Sequence, residues 1–166
     1  SAVRKTSDVE FREVRTKVRR QPANVKEQTL PKGLESLVSV EVKLRQKGET
    51  VTAVPSVISS EVNMLEQSLH MISAGTALGT IKGKTLVPDA DLALSLILSD
   101  DAFPSVEVDR ETALEYLHRD AVAFPSAALG YLLVKYQGLP LGFVKNLGNR
   151  CNNLHPQSRR IRMDIK

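Results

Sequence analysis

The chain has 166 residues, of which 42% are hydrophobic and 25% are charged, an ordinary globular mixture. This composition excludes wholesale disorder, because so many apolar residues can bury a core. The single cysteine excludes an internal disulfide and most cysteine-ligated metal sites. No apolar run approaches the roughly 18–20 residues that a membrane helix needs, so we expect no membrane partner.

The formal charge of +4 is distributed unevenly along the chain. Residues 1–32 carry nine Lys and Arg against four Asp and Glu, residues 33–132 carry seven against fourteen, and residues 133–166 carry seven against one. A basic end on an acidic middle indicates a surface that faces a polyanion such as nucleic acid. A solvated basic tail is the simpler alternative.

Residues 1–32 are predicted to be a linker, because apolar residues are few and Pro22 and Pro31 would end a helix. Residues 33–102 follow as the first predicted domain. Alternating apolar side chains over 38–57 predict a β-hairpin with its turn near Gly48.

A helix is predicted after this hairpin, with Ser59 or Ser60 as its N-cap. Its predicted apolar face has helical spacing and consists of Val62, Leu65, Leu69 and Ile72. Residues 76–87 are predicted to be extended with a turn at 82–84, and Asp89 is the expected cap of a second helix.

Residues 103–166 form the second predicted domain, and the boundary is expected within 100–105, where Pro104 interrupts regular structure. A third helix is predicted to start at Asp109. The expected strands are 122–124, 131–136, 141–145 and 160–163, with a tight turn at 137–140. The pattern predicts the α+β class with two small domains.

No residue pattern in the chain predicts catalysis. Gly83-Lys84-Thr85 ends like a phosphate-binding loop, but the motif needs glycine at position 78, where the chain has Leu78. The three histidines are far apart and lack metal-ligand spacing, so we expect no metal site. Cys151 has no histidine placed to activate it, and a small packed residue is the simpler interpretation.

The stretch from Gly138 to the C-terminus combines glycines, asparagines and basic residues. Asn149, Arg150, Asn152, Asn153 and His155 are side chains that can donate hydrogen bonds to phosphates and base edges. The alternative is a turn-rich segment in which the asparagines bridge loops.

Two motifs in this stretch resemble the C-terminal PUA-like domain of RsmF-type enzymes, which belong to the Sun family of RNA cytosine-5 methyltransferases. The first motif comprises Gly138, Pro140, Leu141, Gly142, Phe143 and Lys145. The second comprises Asn153, Pro156 and Arg160. The helix at 111–119 and the glycine-rich segment 75–84 are similar to elements of the same enzymes.

The resemblance implies a fold and a parent enzyme. It implies that 103–166 is a PUA-like β-rich barrel with a short helix and that 33–102 is an α+β middle domain. Residues 1–32 would be the linker that follows the catalytic domain, which is absent from this sequence. The parent would be a cytoplasmic enzyme that uses S-adenosylmethionine to methylate cytosine in ribosomal RNA. Because family chemistry needs two cysteines, the single Cys151 predicts that this chain alone has no catalytic residue and no cofactor.

The expected partners are ribosomal RNA or another structured RNA and the parent's own methyltransferase domain, but not DNA. The RNA-binding residues that we predict are Lys145, Arg150, Asn153, His155, Arg159 and Arg160, with Lys82 and Lys84 as secondary contacts. The family often has tyrosine where His155 stands and lysine where Gln157 stands. The alternative function is a structural module that docks on the catalytic domain without contacting RNA.

Overall fold

The computed structural model describes residue 31 and residues 33–163, so most of the predicted linker lies outside the described residues. The described strands are β1 (Val42–Lys47), β2 (Thr50–Pro55), β3 (Thr76–Lys82), β4 (Thr85–Pro88), β5 (Ser105–Glu107), β6 (Gly130–Tyr136), β7 (Leu139–Asn146) and β8 (Cys151–Asn153). The helices are α1 (Ser59–Ser68), α2 (Ala90–Ala93) and α3 (Arg110–His118). Two four-stranded sheets and these helices confirm the predicted α+β class.

The first sheet is an antiparallel meander in the order β1-β2-β3-β4. Its β1–β2 hairpin is the one that the alternating pattern predicts. Val51, Ala53 and Leu78 are fully buried beneath the sheet, together with Leu92 of α2. The 76–87 segment also has the predicted extended form, folded back on itself at the turn before Thr85.

The apolar face predicted for α1 is wrong. The helix ends at Ser68, and Leu65, Leu69 and Ile72 have exposed fractions of 45%, 60% and 96%. The cap is also different: Ser59 is buried inside the helix and its hydroxyl donates to the Ser56 carbonyl oxygen over 3.0 Å. Helical spacing alone therefore gave an apolar face that no described element covers.

The second sheet has the order β5-β6-β7-β8. β5 runs parallel to β6, and β6, β7 and β8 pair antiparallel. The strands predicted near 131–136 and 141–145 are confirmed as β6 and β7. The strands predicted at 122–124 and 160–163 are wrong, because those residues have no ladder partner in the described chain. β5 and β8 were missed because three residues each carry too little alternation.

The two sheets share a hydrophobic core. Leu133 of β6 and Phe143 of β7 belong to the same buried cluster as Leu92 and Ala93 of α2. The Phe103 ring also meets the Phe143 ring edge to face, with centroids 4.7 Å apart. The predicted boundary near residue 102 stays a prediction, and the core is continuous across it.

The other face of the second sheet packs on α3. Tyr116 of α3 is fully buried in a second cluster with Leu132, Val134 and Val144. Val122 also lies in this cluster, which explains why a strand-like segment is buried there without pairing. Each face of the second sheet therefore has its own apolar cover.

Asp109 caps α3 as the sequence predicts, and its Oδ1 accepts from the Thr112 backbone N–H over 2.8 Å. This hydrogen bond lowers the pKa of the carboxyl below its ordinary value of 3.8. A lowered folded-state pKa means that the stabilisation is present above the unfolded-state pKa and is lost as the pH falls through the folded-state pKa.

We expect Asp109→Ala to lower the Tm at neutral pH, and the difference from the unchanged chain to shrink as the pH falls below about 4. Asp109→Asn is the matched control, because the amide oxygen accepts the same hydrogen bond without titrating. Thermal unfolding over this pH range measures both. An Asp109→Ala deficit that does not change with pH would contradict the assignment.

Candidate nucleic-acid interface

Two exposed basic residues lie at one end of the second sheet. Lys145 is on β7, one residue before the strand ends, and Arg150 is in the turn that leads to β8. The turn is closed by the Leu147 backbone N–H, which donates to the Arg150 carbonyl oxygen over 2.9 Å. The structure therefore brings two of the predicted RNA-binding residues onto one β7–β8 hairpin.

Lys145 is the centre of a cross-strand row that we call the Tyr131 row. Lys145 pairs with Tyr131 of β6 on one side and with Asn152 of β8 on the other. Directly opposite residues of antiparallel strands share a face, so the three side chains are neighbours. The Lys145 Nζ lies 5.6 Å from the centroid of the Tyr131 ring.

Asn146 holds this end of the sheet together from beneath. Its side chain is 1% exposed. The Nδ2 donates to the carbonyl oxygens of Phe124, Ala127 and Ala128 over 2.9, 3.2 and 3.1 Å. The Oδ1 accepts from the Gly148 N–H over 2.9 Å. One buried amide thus ties the 124–128 loop to the turn that carries Arg150.

Asn153 and His155 face the interior rather than a ligand. The Asn153 Nδ2 donates to the Tyr116 carbonyl oxygen over 2.8 Å, and its Oδ1 accepts from the His155 N–H over 2.8 Å. The His155 ring is 6% exposed, with its centroid 5.5 Å from that of Tyr116. The RNA contact predicted for His155 is therefore corrected, because its ring is buried and offers no exposed face to RNA.

The two arginines after His155 differ in environment. Arg159 is exposed and forms an ion pair with Asp91 of the first sheet's α2, with Nη2 2.6 Å from Oδ1. Such an exposed pair contributes at most about 1 kcal/mol, so it leaves Arg159 available to a stronger anion. Arg160 is half-buried, and its Nε is buried without a hydrogen-bond partner.

Lys82 and Lys84 lie apart from this group, in the β3–β4 turn on either side of Gly83. Both side chains are exposed. α2, which packs against β7, follows the opposite end of β4. The described chain therefore has a basic hairpin turn on the first sheet and a separate basic end on the second.

The described residues contain neither a metal-binding cluster nor a helix suited to span a membrane. No three His, Cys, Asp or Glu side chains between residues 33 and 163 are grouped closely enough to hold a metal ion. Within the same part of the chain, no helix has the length and apolar character that crossing a membrane requires.

The residues that form the second sheet and α3 match a model of a known family. A model of the methyltransferase RsmF PUA domain matches residues 103–161, from Phe103 to the segment after the last 3-10 turn. Residues 103–161 are therefore similar to the RsmF PUA domain. The match confirms the resemblance drawn from the glycine-rich and asparagine-containing motifs. No curated protein matches the chain.

The two glycines of the first motif, Gly138 and Gly142, adopt positive φ in and near the turn between β6 and β7. Gln137 and Gly138 both have positive φ, 51° and 74°, which is the geometry of a tight two-residue hairpin turn. Gly142 has φ 150°, and a methyl group there would overlap the Tyr116 hydroxyl. Gly138 therefore shapes the turn of the second sheet, and Gly142 allows the close packing of Tyr116 against that sheet.

The sequence analysis does not predict the places of Tyr131 and Asn146 at the basic end of the second sheet. Nothing in a single sequence distinguishes a buried asparagine from an exposed one, so the structural role of Asn146 could not be predicted. Tyr131 had a signal: it is one of seven aromatic residues in the chain, and it lies at the start of a predicted strand.

Proposed function

We propose that the RsmF PUA domain of this chain binds structured RNA on behalf of an S-adenosylmethionine-dependent ribosomal RNA (cytosine-5) methyltransferase. The observation that carries the proposal is the coincidence of the family match with the exposed pair Lys145 and Arg150 on the β7–β8 hairpin. Phosphate contacts of this kind position RNA without reading its sequence.

The basic end of the sheet suits a backbone-directed grip. Lys145 and Arg150 are exposed, and neither forms an ion pair with a carboxylate of the described chain. The hydrogen bonds of the turn fix the backbone at Arg150, so only its exposed side chain has to be ordered when it meets a phosphate. A methyltransferase needs its target base unstacked, and a domain that holds the flanking helix or loop serves that end.

We assign the S-adenosylmethionine site to a separate methyltransferase domain, because the described connections of this chain do not fit it. Folds that hold an adenosyl group place a glycine-rich turn between a strand of a parallel sheet and a helix. The short connections that precede α2 and α3 in the described chain contain Asp89 and Asp109 and no glycine. These residues do not fit the cofactor, and the proposal assigns it to a methyltransferase domain that this chain would serve.

The test is a titration of the 166-residue chain with a labelled hairpin from ribosomal RNA at about 50 and about 200 mM salt. We expect saturable binding that weakens steeply with salt. Lys145→Ala/Arg150→Ala should weaken binding about tenfold and lower the salt slope by about 1.4, because each lost contact with single-stranded phosphate removes about 0.7. Fluorescence anisotropy measures both quantities.

Lys43→Ala/Lys47→Ala is the matched control, since it removes the same charge from exposed residues of β1. Equal losses in the two double variants would mean that net charge alone attracts RNA. A separate Lys82→Ala/Lys84→Ala variant tests the secondary contacts. Binding of a DNA hairpin of the same sequence with equal affinity would contradict the RNA preference.

A second candidate function is a docking module for the methyltransferase domain. The observation that favours it is the uncovered apolar side of α1 and its flanks, where Val57, Leu69 and Ile72 are 88%, 60% and 96% exposed. Leu69→Ser/Ile72→Ser should then weaken association with a methyltransferase domain supplied separately. The same variant should leave RNA affinity unchanged, which distinguishes the two functions.

A further inference from the structure

We infer that Tyr131 is a stacking platform for an unpaired RNA base, with Lys145 beside it to meet the phosphate of the same nucleotide. The inference rests on the proposed function and deepens it, because it names an unpaired nucleotide as the group that this surface takes. It is carried by the Tyr131 row and by the place of that row in the sheet.

The Tyr131 row lies at the rim of the core that the two sheets share. Leu133 and Phe143 pair directly and are buried, and each lies two residues from a member of the row, Tyr131 or Lys145. Because side chains two residues apart share a face, the buried pair and the row lie on the same face of the sheet. The face is covered at Phe143 and open at Lys145, which is exposed.

Apart from the contact with Lys145, the described chain shows no structural role for the Tyr131 side chain. Its side chain is half-buried, and its hydroxyl forms no hydrogen bond in the described chain. Tyr116, by contrast, is fully buried and its hydroxyl donates to the Phe143 carbonyl oxygen over 3.2 Å. Partial burial raises the pKa of Tyr131 above 10.0, so the ring stays neutral and does not repel a phosphate.

In the absence of RNA, the Lys145 ammonium lies against the Tyr131 ring, 5.6 Å from the ring centroid. An exposed cation–π contact is weaker than the stacking of a base on an aromatic ring. A base can therefore replace the ammonium, which then has the phosphate as its partner. Asn152 completes the row with an exposed amide that can donate to a base edge or a ribose.

A protein surface is the competing occupant, and the charge pattern argues against it. Lys145 lies in the row and Arg150 lies in the turn that follows β7, and neither forms an ion pair with a carboxylate of the described chain. A base with its phosphate supplies the flat apolar surface and the negative charge that this arrangement complements.

The test compares Tyr131→Leu with Tyr131→Phe in the full chain. The RNA probes are a hairpin with an unpaired loop and a blunt duplex of the same length. We expect Tyr131→Leu to bind the hairpin about tenfold more weakly, Tyr131→Phe to bind like the unchanged chain, and both to bind the duplex unchanged. Tyr136→Leu is the matched control, because it removes a half-buried tyrosine at the other end of β6.

A direct measurement covers the case in which Tyr131→Leu does not fold. The chain has three tyrosines, so 3-fluorotyrosine labelling gives three 19F resonances, assigned by single phenylalanine variants. Adding the looped hairpin should shift the Tyr131 resonance upfield through the ring current of the base. The resonances of Tyr116 and Tyr136 should stay in place.

Failure of the inference and failure of the proposed function give different results. If the hairpin binds and Lys145→Ala/Arg150→Ala weakens it, but Tyr131→Leu and the 19F spectrum show no effect, then only the stacking role is overturned. Equal weakening of hairpin and duplex by Tyr131→Leu also overturns it. If the unchanged chain binds no RNA at all, both are overturned, and the row is left to a protein partner.

Discussion

Gly142→Ala should lower the free energy of unfolding by about 3 kcal/mol, which is a large effect for a single methyl group. The backbone has φ 150°, which side chains rarely adopt, and the new methyl overlaps the hydroxyl of Tyr116. Tyr116 cannot move aside, because it is fully buried and its hydroxyl donates to the neighbouring Phe143 carbonyl oxygen. Urea unfolding followed by circular dichroism measures the loss.

Removing the Tyr116 hydroxyl separates the cost of its overlap with the new methyl group from the cost of backbone strain at position 142. Tyr116→Phe alone should cost about 1 kcal/mol for the lost hydrogen bond. In that background Gly142→Ala should cost at least about 1 kcal/mol less, because the overlapping atom is gone. Gly138→Ala is the control for strain alone: φ is 74° and no atom lies within 4 Å of the new methyl. Strictly additive losses would contradict the overlap.

Asn146→Ala should destabilise the chain by a similar amount, about 3 kcal/mol, and should also weaken RNA binding. The substitution removes the amide that serves three loop carbonyls and the Gly148 N–H in a buried site. Loss of these bonds frees the turn that presents Arg150. Urea unfolding gives the stability, and anisotropy at conditions where the variant is folded gives the affinity.

Two further substitutions show whether hydrogen bonding is the cause. Asn149→Ala changes an exposed asparagine of the same turn and should have no measurable effect on stability. Asn146→Asp keeps the shape but sets a carboxylate against three carbonyl oxygens, which raises its folded-state pKa. Its deficit should therefore be largest at neutral pH and shrink as the pH falls through that raised pKa. A deficit that does not vary with pH would contradict the hydrogen-bonding explanation.

The sequence predicts the order of the main elements well, because local signals specify them. Asp109 begins α3, and Gln137-Gly138 forms the turn between β6 and β7. These features depend on one cap or one backbone conformation each. The family match extends over this same C-terminal region, where the motifs are densest.

The Tyr131 row could not be predicted, because a bulge sets its register. A two-residue turn at Gln137-Gly138 without irregularity would pair Tyr131 with Val144, a buried residue of the α3-facing cluster. The register instead shifts between Val134 and Lys135, which moves Tyr131 opposite Lys145. A shift of one residue exchanges the two faces of a strand.

In the candidate site, too, the features that depend on one residue could be predicted, and the contacts between distant residues could not. Lys145 and Arg150 are predicted to bind RNA because they are basic, and the structure places both at the surface, where such a contact is possible. Asn153 and His155 were placed in the interface because their side chains can donate hydrogen bonds. Both contact Tyr116 instead: Asn153 donates to its backbone carbonyl oxygen and the His155 ring packs against its ring, and no spacing in the sequence indicates contacts with a residue so far along the chain.

The continuous core between the sheets has a thermodynamic consequence. Leu133 and Phe143 belong to the second sheet, yet they complete the core that covers the first. Neither sheet can melt alone without exposing the apolar side of the other, so the two behave as one cooperative unit. On the proposed function, RNA bound to the second sheet should therefore stabilise the first sheet as well, and the amide hydrogens of the first sheet should exchange more slowly when RNA is added.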